Sequence, residues 1–157
     1  MFLQQFISEH NHEVSFSRQQ ACRFAKDVAT DFNPIHDADS KRFCVPGDLL
    51  FAHMVSKHGL AQKLHCTFAG MVSSDVLLHS EQQGDEWRLC DQQQKNYLIL
   101  RQQGEVFHDL AYIESLVKDY VRFSGQNFPH ILQPLMKQHQ VMINPQRPLV
   151  IYESMTL

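Results

Sequence analysis

Asp31-Phe32-Asn33-Pro34-Ile35-His36, with the run that carries it on to Phe51-Ala52-His53-Met54, decides how the rest of the chain is read. Asn33-Pro34 is a turn dipeptide, and the proline ring pushes Asn33 out of helical conformation, so a helix arriving here must end and the chain must turn. Asp31 and His36 stand on either side of that turn. A tight loop can aim a carboxylate and an imidazole at one point about 3 Å from each, where a water fits. Histidine also titrates near neutrality, as acid–base work requires. The plainer reading is a structural turn in which Asp31 caps local backbone and His36 makes one hydrogen bond.

Working outward, Ser17 with Gln20 three residues later forms a capping box and predicts a helix over Arg18–Ala29, with Ala21, Phe24, Ala25 and Val28 on its apolar face. Met1–Glu9 reads as a short amphipathic helix, and Glu13–Phe16 as a strand. On the other side, Val45-Pro46-Gly47-Asp48 is a turn whose Asp48 can cap a helix over Leu49–Leu64. That helix is apolar around much of its circumference, as one covered by a sheet must be. It holds Gly59 at a cost of about 1 kcal/mol. His53 on this helix reads first as a core histidine bonded to a carbonyl.

From Cys66 the pattern changes to strands, at Thr67–Val72, Val76–His79 and Trp87–Cys90, followed by a hairpin of Tyr97–Arg101 and Val106–His108 turning at Gln102–Glu105. Ser73-Ser74-Asp75 reads as a tight turn. A helix followed by a run of strands is the order of an α+β domain with a sheet packed on a helix. Leu110–Phe123 is helical again, and Ile131–Gln140 can form a short helix with Pro134 in its first turn. Asn144–Pro148 reads as a loop and Leu149–Glu153 as a strand whose pattern runs to Leu157, which suggests a truncated chain.

Asp-x-Asn-Pro-x-His followed by an apolar run ending in His resembles the (R)-specific enoyl-CoA hydratases and their MaoC-like relatives, over residues 13–110. The resemblance implies a hotdog fold, an antiparallel sheet wrapped around one long central helix. It implies that Asp31 and His36 hold the water that adds across the double bond of an acyl thioester carried by CoA or acyl carrier protein. Asn33 would shape the loop, and His53 would match the His of the family's His-Gly step. Met54 stands where the family has Gly, whose N–H faces the thioester carbonyl, so the Met54 side chain is expected to obstruct that approach. Asn33, His53 and Met54 are therefore the expected substrate-binding residues. This chemistry needs no metal and no redox cofactor.

Ser124–His130 echoes Thr30–His36, with Asn127, Pro129 and His130 again following a helix and Gln126 near the place of Asp31. The echo divides the chain into a hotdog-like domain over 1–110 and a segment over 111–157 that would begin a degenerate second hotdog. A double hotdog with an incomplete second half stays open on this reading. Phe123–Met136 and Arg147–Met155 also resemble a bacterial family of unknown function. A single hotdog leaves a sheet edge and a helix face uncovered, which predicts a homodimer or a pseudo-dimer with its own second half. The rivals to hydration or dehydration are a non-catalytic hotdog that binds acyl thioesters, a thioesterase, and a protein-interaction module using the helical segments.

Composition bounds these readings. With 157 residues, 43% apolar and 20% charged, the chain can bury one full core. A net charge of −3 gives no footprint for nucleic acid or for an anionic membrane. No apolar run approaches the ~18 residues of a membrane span, and no secretory signal pattern opens the chain. Cys22, Cys44, Cys66 and Cys90 occur singly, which fits reduced thiols in the cytoplasm. No pair among the ten histidines has ligand spacing, so no metal site is expected.

Overall fold

The computed structural model describes residues 2–144 and 151–157. Ser17 accepts from the Gln20 N–H and the Gln20 side chain returns to the Ser17 N–H, so the expected capping box starts helix α1, Arg18–Arg23. The helix widens into a π-helix over Phe24–Ala29 and ends at Thr30, whose left-handed backbone (φ 53°) throws the chain off the helix axis. Phe2–Gln5 is a 3₁₀ turn, not the longer amphipathic helix expected. Ser8–His10 (β1) and Glu13–Ser15 (β2) pair antiparallel instead, because Asn11 and His12 both take positive φ (44° and 75°) and close a two-residue hairpin.

Helix α2 runs from Gly47 to His58, earlier at both ends than the sequence pattern suggested. Pro46 is its N-cap residue without a side-chain cap, and Asp48 lies inside the first turn. Gly59 ends the helix rather than sitting within it. Its φ is 86°, and a Cβ there would stand 2.5 Å from Val106 and 2.8 Å from the Phe107 carbonyl. Residues expected at the end of the helix therefore begin strand β3, Leu60–Phe68.

The remaining strands are β4 (Leu78–Gln83), β5 (Glu86–Asp91), β6 (Asn96–Phe107) and β7 (Ser154–Thr156). Among the described residues they form one antiparallel sheet in the order β1-β2-β4-β5-β6-β3-β7. The hairpin expected at Gln102–Glu105 is absent, because β6 runs through. Ala61 pairs with Val106 and Lys63 with Gln103, so Gly104 (φ 84°) and Glu105 face the single residue Gln62 as a β-bulge. The Gln62 side chain accepts the Glu105 N–H at 3.3 Å. The turn signal at Gly104 is real, but it bends the strand instead of reversing it. The strand expected at Leu149–Glu153 lies partly outside the described residues; the ladder with β3 runs over Ser154–Thr156, and the Phe68 N–H also donates to the Glu153 carbonyl at 2.9 Å.

Leu49 through Val55 are all buried, and α2 packs on β3 and β6 through Leu64, Cys66, Leu98 and Leu100. An almost unbroken helical run then crosses the other side of α2. It consists of α3 (Leu110–Gly125, capped by Asp109), a π-turn at Phe128–Leu132, and α4 (Gln133–His139) with Pro134 in its first turn. The echo of the Asp31 loop is thus not a loop. Its Pro129 is absorbed at the start of a π-turn, where a missing N–H costs nothing. The result is an α+β architecture with a seven-stranded antiparallel sheet against helices. Among the described residues no helix is long and apolar enough to cross a membrane.

Candidate functional site

The Asp31–His36 loop is held by its own polar atoms. Asp31 N–H donates back to the Ala25 carbonyl (2.8 Å), finishing the π-helix. One Asp31 oxygen, Oδ1, accepts the Asn33 N–H at 2.8 Å, and Asn33 Oδ1 in turn accepts the Ile35 N–H at 3.2 Å. Pro34–His36 closes as a single 3₁₀ turn. Lys26 donates to the Asp31 carbonyl (3.1 Å) and pairs with Asp37 (2.9 Å), while Arg18 reaches the Ala38 and Ser40 carbonyls at 2.9 Å each. These contacts leave little freedom to the two side chains that matter.

Asp31 Oδ2 and His36 Nε2 lie 3.5 Å apart, with both side chains mostly buried. His36 Nδ1 is 2.7 Å from the Cys44 carbonyl, so that nitrogen carries the proton and donates. Burial lowers the pKa of His36 below its ordinary 6.5, outweighing the opposite pull of Asp31 and of the Cys44 carbonyl. The ring is therefore neutral near pH 7, with a bare lone pair on Nε2 facing a carboxylate oxygen. Two acceptors that converge in this way have one simple satisfier, a water donating one hydrogen to each.

Both residues line a cavity of about 360 Å³. Asn33, Gly47 and Leu50 contribute beside them, and Phe68, Ala69 and Met71 form a second side. Phe128, Leu132, Ile151 and Tyr152 from the C-terminal segment complete the wall. The lining is mostly apolar, with Asp31, Asn33 and His36 as its polar groups on one wall and Asn127 and Tyr152 on the C-terminal wall. Asn127 donates to the Tyr152 hydroxyl (3.1 Å), which donates to the Ser124 carbonyl (3.0 Å), fastening this wall together.

Of the residues expected to bind substrate, Asn33 lines the cavity and His53 and Met54 do not. His53 is buried on α2 edge-on to Phe16, with ring centroids 6.4 Å apart, and its Nε2 has no hydrogen-bond partner among the described residues. Burial, with Lys57 and His58 adding to it, holds its pKa down to about 4. Met54 is wholly buried in the core near the middle of α2, so it obstructs nothing at the cavity. The residues of α2 that meet the cavity are Gly47 and Leu50, and Gly47 stands at the first helical position, where a backbone N–H has no intrahelical acceptor. A Cβ on Gly47 would press 2.8 Å from the Phe68 ring.

Next to Gly47, Asp48 is buried beneath α3. Burial drives its pKa up to about 7, against the hydroxyls of Ser124 and Tyr120 that hydrogen-bond it, and nearby Asp31 adds to the rise. Gly125 touches the other side of the loop. A Cβ there would collide with the Ala29 carbonyl oxygen and stand 3.1 Å from the Asp31 nitrogen. The Pro46-Gly47-Asp48 turn was visible in the sequence. That its glycine would face the cavity and its acid would be buried follows only from the helix starting two residues early.

The family described as a protein of unknown function (DUF3581) matches residues 1–157, and the chain belongs to it. No curated protein and no solved structure matches the chain.

Proposed function

We propose that this chain is a hotdog-type hydratase or dehydratase acting on enoyl thioesters of CoA or acyl carrier protein. The observation that carries the reading is the approach of Asp31 Oδ2 to His36 Nε2, 3.5 Å apart, in the wall of a mostly apolar cavity. The sheet against α2 is compatible with a hotdog arrangement and keeps the dyad at the start of that helix. The apolar wall suits an acyl chain. The dyad suits a water held by both hydrogens with a lone pair left for the β-carbon. On attack, the water proton passes to the dyad and the thioester carbonyl becomes enolate-like. The Gly47 N–H, at the positive end of α2, would stabilise that oxygen. The proton then returns to the α-carbon, so water has added across the double bond with no cofactor.

The binding-only rival drew on Met54, which does not line the cavity, and on the degenerate echo at Ser124–His130. The test is hydration of a trans-2-enoyl-CoA, followed by loss of the conjugated thioester absorbance. Wild type is expected to turn over. Asp31→Asn and His36→Gln are expected to lose roughly 10²–10⁴ in rate while still binding a saturated acyl-CoA. An Asp31→Asn variant as fast as wild type would remove the dyad from the mechanism.

A further inference from the structure

The cavity does not use one other cluster of reactive side chains, on the opposite face of the sheet. His79 on β4 pairs directly across from Cys90 on β5, and Glu81 lies two residues along β4 on the same face. Leu78 and Leu89 point the other way, into the core. Cys90 Sγ is 3.4 Å from His79 Nε2, and His79 Nε2 is 3.9 Å from Glu81 Oε2. The ligand atoms of all three residues lie within 4.8 Å of one another.

We propose that His79, Glu81 and Cys90 bind a divalent transition cation of the zinc class. A thiolate at about 2.3 Å and an imidazole at about 2.0–2.1 Å from a tetrahedral zinc are themselves roughly 3.5 Å apart, the separation already present between Cys90 and His79. Sulfur, nitrogen and one carboxylate oxygen are the donor set that zinc takes, and three protein ligands leave a fourth position for water. The backbone fixes this geometry, because a cross-strand pair and its i+2 neighbour are held by the β4–β5 ladder rather than by a loop.

The surroundings carry charges of both signs. Arg88 stands directly across from Glu81 on the same face. Arg88 is drawn toward Glu86 at 3.0 Å. Asp91 is not itself a ligand. It pairs across from Leu78 on the other face, where its Oδ1 accepts the Gln93 and Lys95 N–H groups and its Oδ2 accepts the Tyr97 hydroxyl. Glu13 on β2 stands directly across from His79 and adds a further carboxylate to the same face. Without metal, the Cys90 thiol can donate to His79 Nε2. With metal, the S–H bond breaks, its proton leaves to solvent, and the sulfur lone pair and the imidazole lone pair both bind the cation. The histidine spacing in the sequence does not show this site, because residues 79 and 90 meet only through the strand register.

The test is titration of the full chain with Co²⁺, followed by displacement with Zn²⁺. One equivalent of Co²⁺ should bind and give a near-ultraviolet thiolate-to-cobalt charge-transfer band, which Zn²⁺ abolishes. Cys90→Ser should lose the band, His79→Ala and Glu81→Gln should weaken binding at least tenfold, and Cys22→Ser should leave it unchanged. Zn²⁺ should also raise the melting temperature of wild type and not that of Cys90→Ser, which separates binding from a folding defect in the variant. Failure to bind one equivalent, or a band that survives in Cys90→Ser, overturns the proposal.

Discussion

Asp31 divides its two oxygens between the loop backbone and His36. Oδ1 is spent on the Asn33 N–H and fixes the loop, while Oδ2 is left to face His36. The same division appears in His36, where Nδ1 is bound to Cys44 and Nε2 is free for the cavity. Residue-scale logic also reverses the expectation for Met54. Truncating a fully buried methionine to alanine removes packing and leaves a void, so Met54→Ala should cost about 2–5 kcal/mol in denaturant unfolding. It should leave the turnover of the folded fraction unchanged. Gly47→Ala should do the reverse, with a modest stability cost and a clear loss of turnover, because its methyl would push on Phe68 at the cavity wall. Higher activity in Met54→Ala would restore the obstruction argument. The dyad was legible in the sequence because its two residues are five apart on one turn. The glycine that belongs with it was not, because the sequence does not say at which residue α2 begins, and Pro46-Gly47 reads equally well as a turn before the helix.

At the scale of elements, α3 is the brace of the site. Gly125 lets it approach the Ala29–Asp31 backbone, and Gln126 bonds the Thr30 hydroxyl at 3.1 Å. Gly125→Ala should therefore cost at least 1–3 kcal/mol and lower turnover by displacing the Asp31 loop. A variant with wild-type stability and rate would show that this contact is dispensable. Helix α2 is also where pH acts, through Asp48 at its junction with α3 and through His53 and His58 further along. Asp48 has its pKa raised from 3.8 to about 7, so the folded state holds a proton that the unfolded chain has lost, and stability falls as pH rises through that window. His53 and His58 have theirs lowered from 6.5 to about 4, so stability rises with pH over much of the same range. The opposing slopes partly cancel in wild type. Asp48→Asn removes the falling one, so its unfolding free energy should increase from about pH 5 to about pH 7 by more than that of wild type, by on the order of a few kcal/mol. Parallel pH profiles for the two proteins would place the Asp48 proton elsewhere. Elements with a local signature, such as the Ser17–Gln20 capping box, could be read directly. Those set by tertiary contacts could not. Gly59 ends α2 because β6 crosses it, and Gly104 bulges because Gln62 stands opposite, and neither partner is near in sequence.

Across the whole molecule, the C-terminal segment does two things at once. It adds β7 to the edge of the sheet at β3, and it brings Phe128, Leu132, Ile151 and Tyr152 to a cavity whose Asp31 and His36 lie in the first third of the chain. The expected echo of the Asp31 loop pointed to this segment but misjudged its form, since a helix carries Asn127 and Phe128 to the cavity without a second turn. The central claim is that this assembled cavity presents one face of an enoyl thioester to a water held by Asp31 and His36. It is tested most directly by incubating the protein with trans-2-octenoyl-CoA and resolving the 3-hydroxyoctanoyl product by chiral chromatography. A water fixed on one side predicts a single enantiomer, formed by wild type and not by Asp31→Asn. A racemic product, or no product from a wild-type protein that binds octanoyl-CoA, would contradict it.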